Sequence, residues 1–224
     1  MNKLNINING AIISNDDKWI YDYFEMSSAC PRDIEKAIIT ANGEPLEVYI
    51  NSRGGSIFAG SEIYSRLRDY SGNVNIHITG LAASAASVIA CASHCDISPT
   101  AMIMIHNVSS YASGDYNTMQ KESEILKLCN ESICNAYALK TGMDKNTLLE
   151  LMNKETWFTA EQAVDMKFVD SITLPKTNIS ASNFVASCAD IIPQAIINQI
   201  RHKKIAARAQ AKLNLIKITG GIKL

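Results

Sequence analysis

A strand, a glycine-bearing turn and a helix follow one another twice within residues 46–93, which predicts an α/β fold with parallel strands. Leu46–Ile50 is a short apolar run of the type buried on both faces, and Val74–Thr79 is a second strand. The stretches that follow them place apolar residues at helical spacing, as a crossover connection requires. No sequence repeat accompanies this structural recurrence.

The remaining elements are read in chain order. Leu4–Ser14 alternates apolar and polar residues before turning apolar, which predicts a strand at a sheet edge. Ser14-Asn-Asp-Asp supplies cap residues for a short helix over Lys18–Phe24. Pro31 in a first turn, then Ile34, Ala37, Ile38 and Ala41, marks a second helix ending near Asn42-Gly43. The loop Asn51-Ser-Arg-Gly-Gly-Ser56 opens a helix whose apolar face is Ile57, Ile63, Leu67 and Tyr70. After Thr79 the stretch GLAASAAS (residues 80–87) enters a helix running to about Ser93. Asp96–Ser98 and Ala101–Ile105 read as strands around a Pro99-Thr100 turn. A long helix follows from about Tyr116 to Lys140, with Ile125, Cys129, Ile133, Ala136 and Tyr137 on one face, and a shorter one covers Asp144–Met152. Trp157-Phe158 is a strand, Ala160–Met166 a helix and Val169–Ile172 a last strand.

Charge divides the chain. Residues 176–224 hold eight lysines and arginines against Asp190 alone, a net +7, which leaves −8 on residues 1–175. The expected organisation is therefore a domain over 1–175 and a basic tail over 176–224, helical in part beyond Pro193, where Ile196, Ile197 and Ile200 share a side. The tail is expected to dock on a neighbour or be processed, with nucleic acid an unfavoured partner.

Composition narrows the function classes. At 47% hydrophobic and 19% charged, the 224 residues describe an ordinary globular protein with ample core. The opening MNKLNINING has no apolar export region, and the longest small-apolar run, Leu81–Ala92, is too short to cross a bilayer. A cytoplasmic location without membrane contact is expected. Six cysteines contain no C-x-x-C, and His94-Cys95-Asp96 are three consecutive residues that rarely converge on one ion, so buried thiols and no metal or cofactor are expected. No G-x-x-x-x-G-K-[ST] occurs, which excludes an ATPase of the P-loop kind.

Three features carry chemistry. Gly54-Gly55 lies between a buried strand and a helix, where amide groups are free and no side chain blocks close approach. Ser84 stands among alanines at a helix start, with Ser87 a rival hydroxyl one turn later; neither sits in a G-x-S-x-G elbow. His106 ends the apolar strand Ala-Met-Ile-Met-Ile, and a buried imidazole requires hydrogen-bond partners. Taken singly, a tight turn, a packing serine and a hydrogen-bonded core histidine account for them. His77, alternating outward on its strand, and His202, in the tail, are set aside.

Taken together and in order, INSRGGSIFAG, GLAASAAS, MIMIH and ETWFTAEQAVDMKFVD resemble the Clp protease proteolytic subunit (ClpP) family over roughly residues 5–173. The resemblance implies a ClpP/crotonase-type spiral of repeated β-β-α units with a protruding handle helix. It implies a serine endopeptidase with Ser84 as nucleophile, His106 as general base and Glu155 in the acid position, where the family has aspartate. Gly55 and Ala85 would supply the oxyanion-hole amides. A substrate peptide would add as a strand along Ser56, Ile57 and Asn107. The family's handle corresponds to Ser109–Asp115 and the helix after it, and implies homo-oligomeric rings, one heptamer or a tetradecamer, enclosing unfolded or scaffold-type polypeptides. An unfolding ATPase or capsid proteins are the partners implied. Asn15-Asp-Asp-Lys-Trp-Ile20, Glu155-Thr-Trp157 and the basic tail look most like phage-encoded ClpP-related peptidases that mature viral heads. Two departures stand out: Arg53 replaces a proline before the glycines, and Ala85 replaces a methionine, which is expected to open the substrate side. Alternatives from other classes are a crotonase-type acyl-CoA enzyme and a ring or shell component with an idle site.

Overall fold

Residues 46–83 supply the two central strands of the sheet, whose ends carry the Gly54-Gly55 turn and lead into Ser84. The computed structural model describes residues 4–173 together with Ala206 and Gln210, both helical. The expected linker, basic helix and tail docking therefore lie outside the described residues, those two positions excepted.

The described elements are β1 (Leu4–Ile12), α1 (Lys18–Tyr23), β2 (Ser28–Ala29), α2 (Pro31–Ala41), β3 (Leu46–Gly55), α3 (Ile57–Arg68), β4 (Val74–Ala83) and α4 (Ala85–Ala90). They continue as β5 (His94–Ile97), β6 (Met102–Ile105), α5 (Tyr116–Thr141), α6 (Lys145–Asn153), β7 (Thr156–Phe158), α7 (Ala160–Asp165) and β8 (Ser171–Ile172). The strands form one sheet in the order β2-β1-β3-β4-β5-β8, with β6 pairing β4 and β7. Every pairing is parallel except β6 with β7. This is the expected α/β architecture.

Two features of the sheet correct the sequence reading. First, β1 is an edge only as far as Gly10: its end pairs with the two-residue strand β2 through Ala11–Ser28 and Ile12–Ala29. Second, β4 runs through GLAA to Ala83 instead of stopping at Thr79. The extension exists because β4 changes partner. Asn75–Ile78 pairs with β5, while Leu81–Ala83 pairs with β6, and Gly80 falls between. Small residues suit a strand that must bend from one neighbour to another.

Alternation on the central strands sorts core from surface. Val48, Ile50, Ile76, Ile78, Cys95 and Ile97 are buried. Ile34 of α2, Ile63 and Leu67 of α3 and Ile89 of α4 belong to the same core. The opposite face carries Tyr49, Asn75, His77 and Asp96, half-exposed, with the carboxylate of Glu47 tucked among them. Most of helix α5 up to Asn130 stands exposed, and its far end, at Ile133, Cys134, Ala136 and Tyr137, is anchored in the core.

Candidate active site

The hydroxyl comes from the bend between β4 and α4. Ser84 has φ 56° and ψ −126°, a backbone that L-residues avoid, and it occupies the N-cap of α4. Its amide donates to the Met104 carbonyl at 3.0 Å, fixing the bend to β6. The result is a sharp strand-to-helix elbow that aims the side chain away from both elements, built without the glycines that usually flank one.

The glycine turn is pressed against that elbow. A Cβ on Gly54 would lie 2.7 Å from Ser84 Cβ and 3.0 Å from the Ala85 amide nitrogen. Gly54 has φ 91° and Gly55 φ 149°, and a Cβ on Gly55 would collide with the Ile12 carbonyl. Glycine is required here twice over, by conformation and by space. Ser52, 3% exposed, orients the turn: its hydroxyl donates to the Gly10 carbonyl at 2.6 Å and accepts from the Gly54 amide at 3.0 Å. Sequence reasoning passed over Ser52, although a serine two residues before a glycine pair is a recognisable turn signal.

His106 arrives from the end of β6. Its Nε2 lies 2.8 Å from Ser84 Oγ, although 22 residues separate them in the chain. Ser87, the rival hydroxyl, is 1% exposed and donates to the Ser84 carbonyl at 2.6 Å. It also lies 2.8 Å from the hydroxyl of Tyr137, a fully buried phenol whose pKa burial pushes up. Its place in that relay removes it as a nucleophile.

The other expected residues fall less simply. The antiparallel register ends at the pair Ile105–Thr156, and His106 and Glu155 are the next residues beyond it on the two chains. Glu155 is exposed with φ 49°, and its carboxylate accepts from the Trp157 indole N–H at 3.3 Å. The expected contact to the imidazole is not made in this conformation, in which the carboxylate is engaged by the indole. Ala85 is fully buried, and its Cβ lies 2.9 Å from where one on Gly60 would stand. Its small side chain serves the close approach of α3 and α4, which corrects the expectation that it opens the substrate side. As the first residue of α4, Ala85 has no intrahelical partner for its amide.

Ser56 caps α3, its hydroxyl accepting from the Ala59 amide at 3.3 Å, while its own amide donates to the Ile12 carbonyl at 2.8 Å. That amide is engaged within the fold, so a substrate cannot pair through it. Ile57 is half-buried at the start of α3. The Asn107 side-chain amide donates to Asn153 Oδ1 at 2.7 Å.

His94, Cys95 and Asp96 diverge. His94 pairs with Asp170 at 3.3 Å, Cys95 is buried, and Asp96 faces His77. No group of histidine, cysteine or carboxylate side chains suited to a metal occurs among the described residues, and no described helix is long and apolar enough to cross a membrane.

A parallel α/β frame that brings a strained serine, an imidazole and a glycine turn to one point defines a protein of the serine peptidase class. Comparison with known proteins identifies the family. The Clp protease family model matches residues 35–176, and the chain belongs to that family. The ATP-dependent Clp protease proteolytic subunit of Ligilactobacillus salivarius is 33% identical over 135 residues, spanning 59% of this chain and 68% of that protein. Subunit 1 from Chlamydia abortus is 29% identical over 139 residues, spanning 60% and 72%. The solved structure of a ClpP1 mutant from Listeria monocytogenes superposes with a TM-score of 0.63 at 20% identity, covering 77% of this chain and 92% of the other, which establishes the shared fold.

Proposed function

We propose that this chain is a serine endopeptidase that cleaves extended polypeptides, with Ser84 as nucleophile and His106 as general base. The observation that carries this reading is the 2.8 Å approach of His106 Nε2 to the hydroxyl of a serine held at positive φ. A serine hydroxyl is a weak nucleophile until a base accepts its proton, and a base with Nε2 as acceptor must carry its own proton on Nδ1. Glu155 is the carboxylate that would accept a hydrogen bond from Nδ1–H, its side chain first rotating off the Trp157 indole.

The steps follow. Ser84 Oγ attacks the scissile carbonyl while its proton passes to His106 Nε2. The oxyanion forms beside the amides of Gly55 and Ala85, each worth about 3–4 kcal/mol of barrier in comparable sites. His106 returns the proton to the departing amine. Water, deprotonated by the same ring, then releases the acyl group from Ser84.

A substrate would lie as a strand between the start of α3 at Ile57 and the segment after His106, recognised through its backbone with little sequence preference. Assembly into rings of seven, single or paired through α5, supplies the chamber, and an unfolding ATPase is the partner that agrees with the words "ATP-dependent" in the relatives' titles. Placement among head-maturation peptidases rests on the Asn15–Ile20 and Glu155–Trp157 motifs and the basic tail. The acyl-CoA reading has no feature that needs the Ser84–His106 pair, and it is set aside. Casein turnover by the purified protein, lost in Ser84→Ala while oligomer size persists, supports the assignment; equal turnover by that variant overturns it.

A further inference from the structure

His106 is the first residue beyond β6, on a segment that has no regular structure until Tyr116. A general base placed there needs something other than the sheet to hold it. Two side chains supply the hold. Asn107 Nδ2 donates to Oδ1 of Asn153, the last residue of α6, at 2.7 Å, and the Val108 amide donates to Asn130 Oδ1 of α5, also at 2.7 Å. Asn153 itself stands two residues before Glu155. The Asn107–Asn153 bond is therefore a side-chain rung just past the last β6–β7 pair, Ile105–Thr156, and it ties together the two segments that carry His106 and Glu155 out of the ladder.

The cost of that rung shows what it is for. Asn107 Oδ1 is buried and has no hydrogen-bond partner, the only such side-chain atom among the described residues. An orphaned buried acceptor is destabilising, and an apolar residue of the same shape would avoid it. Stability alone disfavours asparagine at this position; the amide N–H₂ must be needed.

We propose that Asn107 and Asn153 are positioning residues, which hold the His106 main chain in register with Glu155 and so aim Nε2 at Ser84 Oγ. This role belongs to the Asn107 side chain, and it rests on the Ser84–His106 reading. Displacements of about 1 Å at a catalytic group cost up to about 10²-fold in rate, so the effect belongs in kcat.

The test measures kcat and KM on a fluorogenic peptide, the rate of Ser84 labelling by a fluorophosphonate, and the melting temperature of the full chain. Asn107→Leu and Asn153→Ala are expected to lower kcat and the labelling rate about 10- to 30-fold with KM within about 2-fold. Asn153→Asp, which keeps the acceptor, is expected within about 3-fold of wild type. Asn107→Leu is expected to melt no lower than wild type, since it removes the orphan and leaves Asn153 exposed to water. A raised KM at unchanged kcat in Asn107→Leu would overturn the proposal in favour of substrate contact. Wild-type labelling rates in both variants, or a loss of rate that follows a loss of melting temperature, overturn it as well. A wild-type protein that Ser84→Ala leaves equally labelled sinks the underlying peptidase reading instead.

Discussion

Two imidazoles sit on strands that share β4, and they have opposite surroundings. His77, on β4 itself, is held by two carboxylates: Nε2 lies 2.6 Å from Glu47 Oε2 and Nδ1 2.8 Å from Asp96 Oδ2. Tyr49 stacks on it at 4.9 Å between centroids. His106 meets one hydroxyl and no carboxylate. A ring with both nitrogens against carboxylates on neighbouring strands favours its protonated form, in which no lone pair is left to accept a proton. A ring with Nε2 against a hydroxyl retains that lone pair. Carboxylates on both nitrogens make His77 a structural link, whereas His106 has an Nε2 clear of anions and able to act on Ser84.

The largest effects should separate the two rings. Ser84→Ala and His106→Ala are each expected to lower kcat/KM on a peptide substrate by about 10⁴-fold or more, because residues acting as one unit fail together. His77→Gln should change it by less than about 3-fold. Comparable losses in both histidine variants would abolish the distinction. Gly54→Ala belongs with the large effects: the added methyl meets Ser84 Cβ at 2.7 Å on a backbone of φ 91°, so labelling of Ser84 by a fluorophosphonate should fall to background.

A middle-sized effect concerns the missing carboxylate at His106. Glu155→Gln is expected to reduce kcat by about 10²-fold if the glutamate rotates to Nδ1 during turnover. Trp157→Phe removes the competing indole N–H and should leave kcat unchanged or raise it by about 2-fold. A wild-type rate in Glu155→Gln would leave His106 a base without an acid. A fall in kcat for Trp157→Phe would show that the indole bond belongs to the working arrangement.

What was legible in the chain follows from how local each cause is. Gly54-Gly55 announces itself, because glycine is demanded by the backbone at those very positions. Ser84 and His106 were readable as residue types out of place, a hydroxyl among alanines and a ring closing an apolar strand. Helix α5 was legible nearly to the residue, its N-cap Asp115 accepting from the Thr118 amide and its C-cap Gly142 in the left-handed region. The exchange of β4 from β5 to β6 was not, since pairing depends on which strands return from far away in sequence. Ala85 was misread for the same reason: its neighbour is Gly60, 25 positions earlier on another helix. Asn153 and Asn130 carry no signal at all until the loop after β6 is seen to need them.

The smallest effect is one of stability, and its sign is fixed by the bracketed histidine. Burial disfavours the charged His77 ring, but hydrogen bonds from Glu47 and then Asp96 outweigh it, and the pKa ends raised above 6.5. In the unfolded chain the ring titrates near its ordinary value of about 6.5. The folded state therefore holds its proton more tightly, and the added stability is complete below that value and lost as pH rises through the folded pKa. Deprotonation also leaves one carboxylate facing a nitrogen lone pair, and Glu47, 5% exposed, has little water to turn to. Asn75, bonded to Glu47 Oε1 at 3.2 Å, does not reach the oxygen facing the ring. Melting curves of wild type and His77→Gln should consequently lie furthest apart at mildly acidic pH and converge above the folded pKa. A gap that widens with pH would mean the ring is held neutral, and the two histidines would then differ in position only.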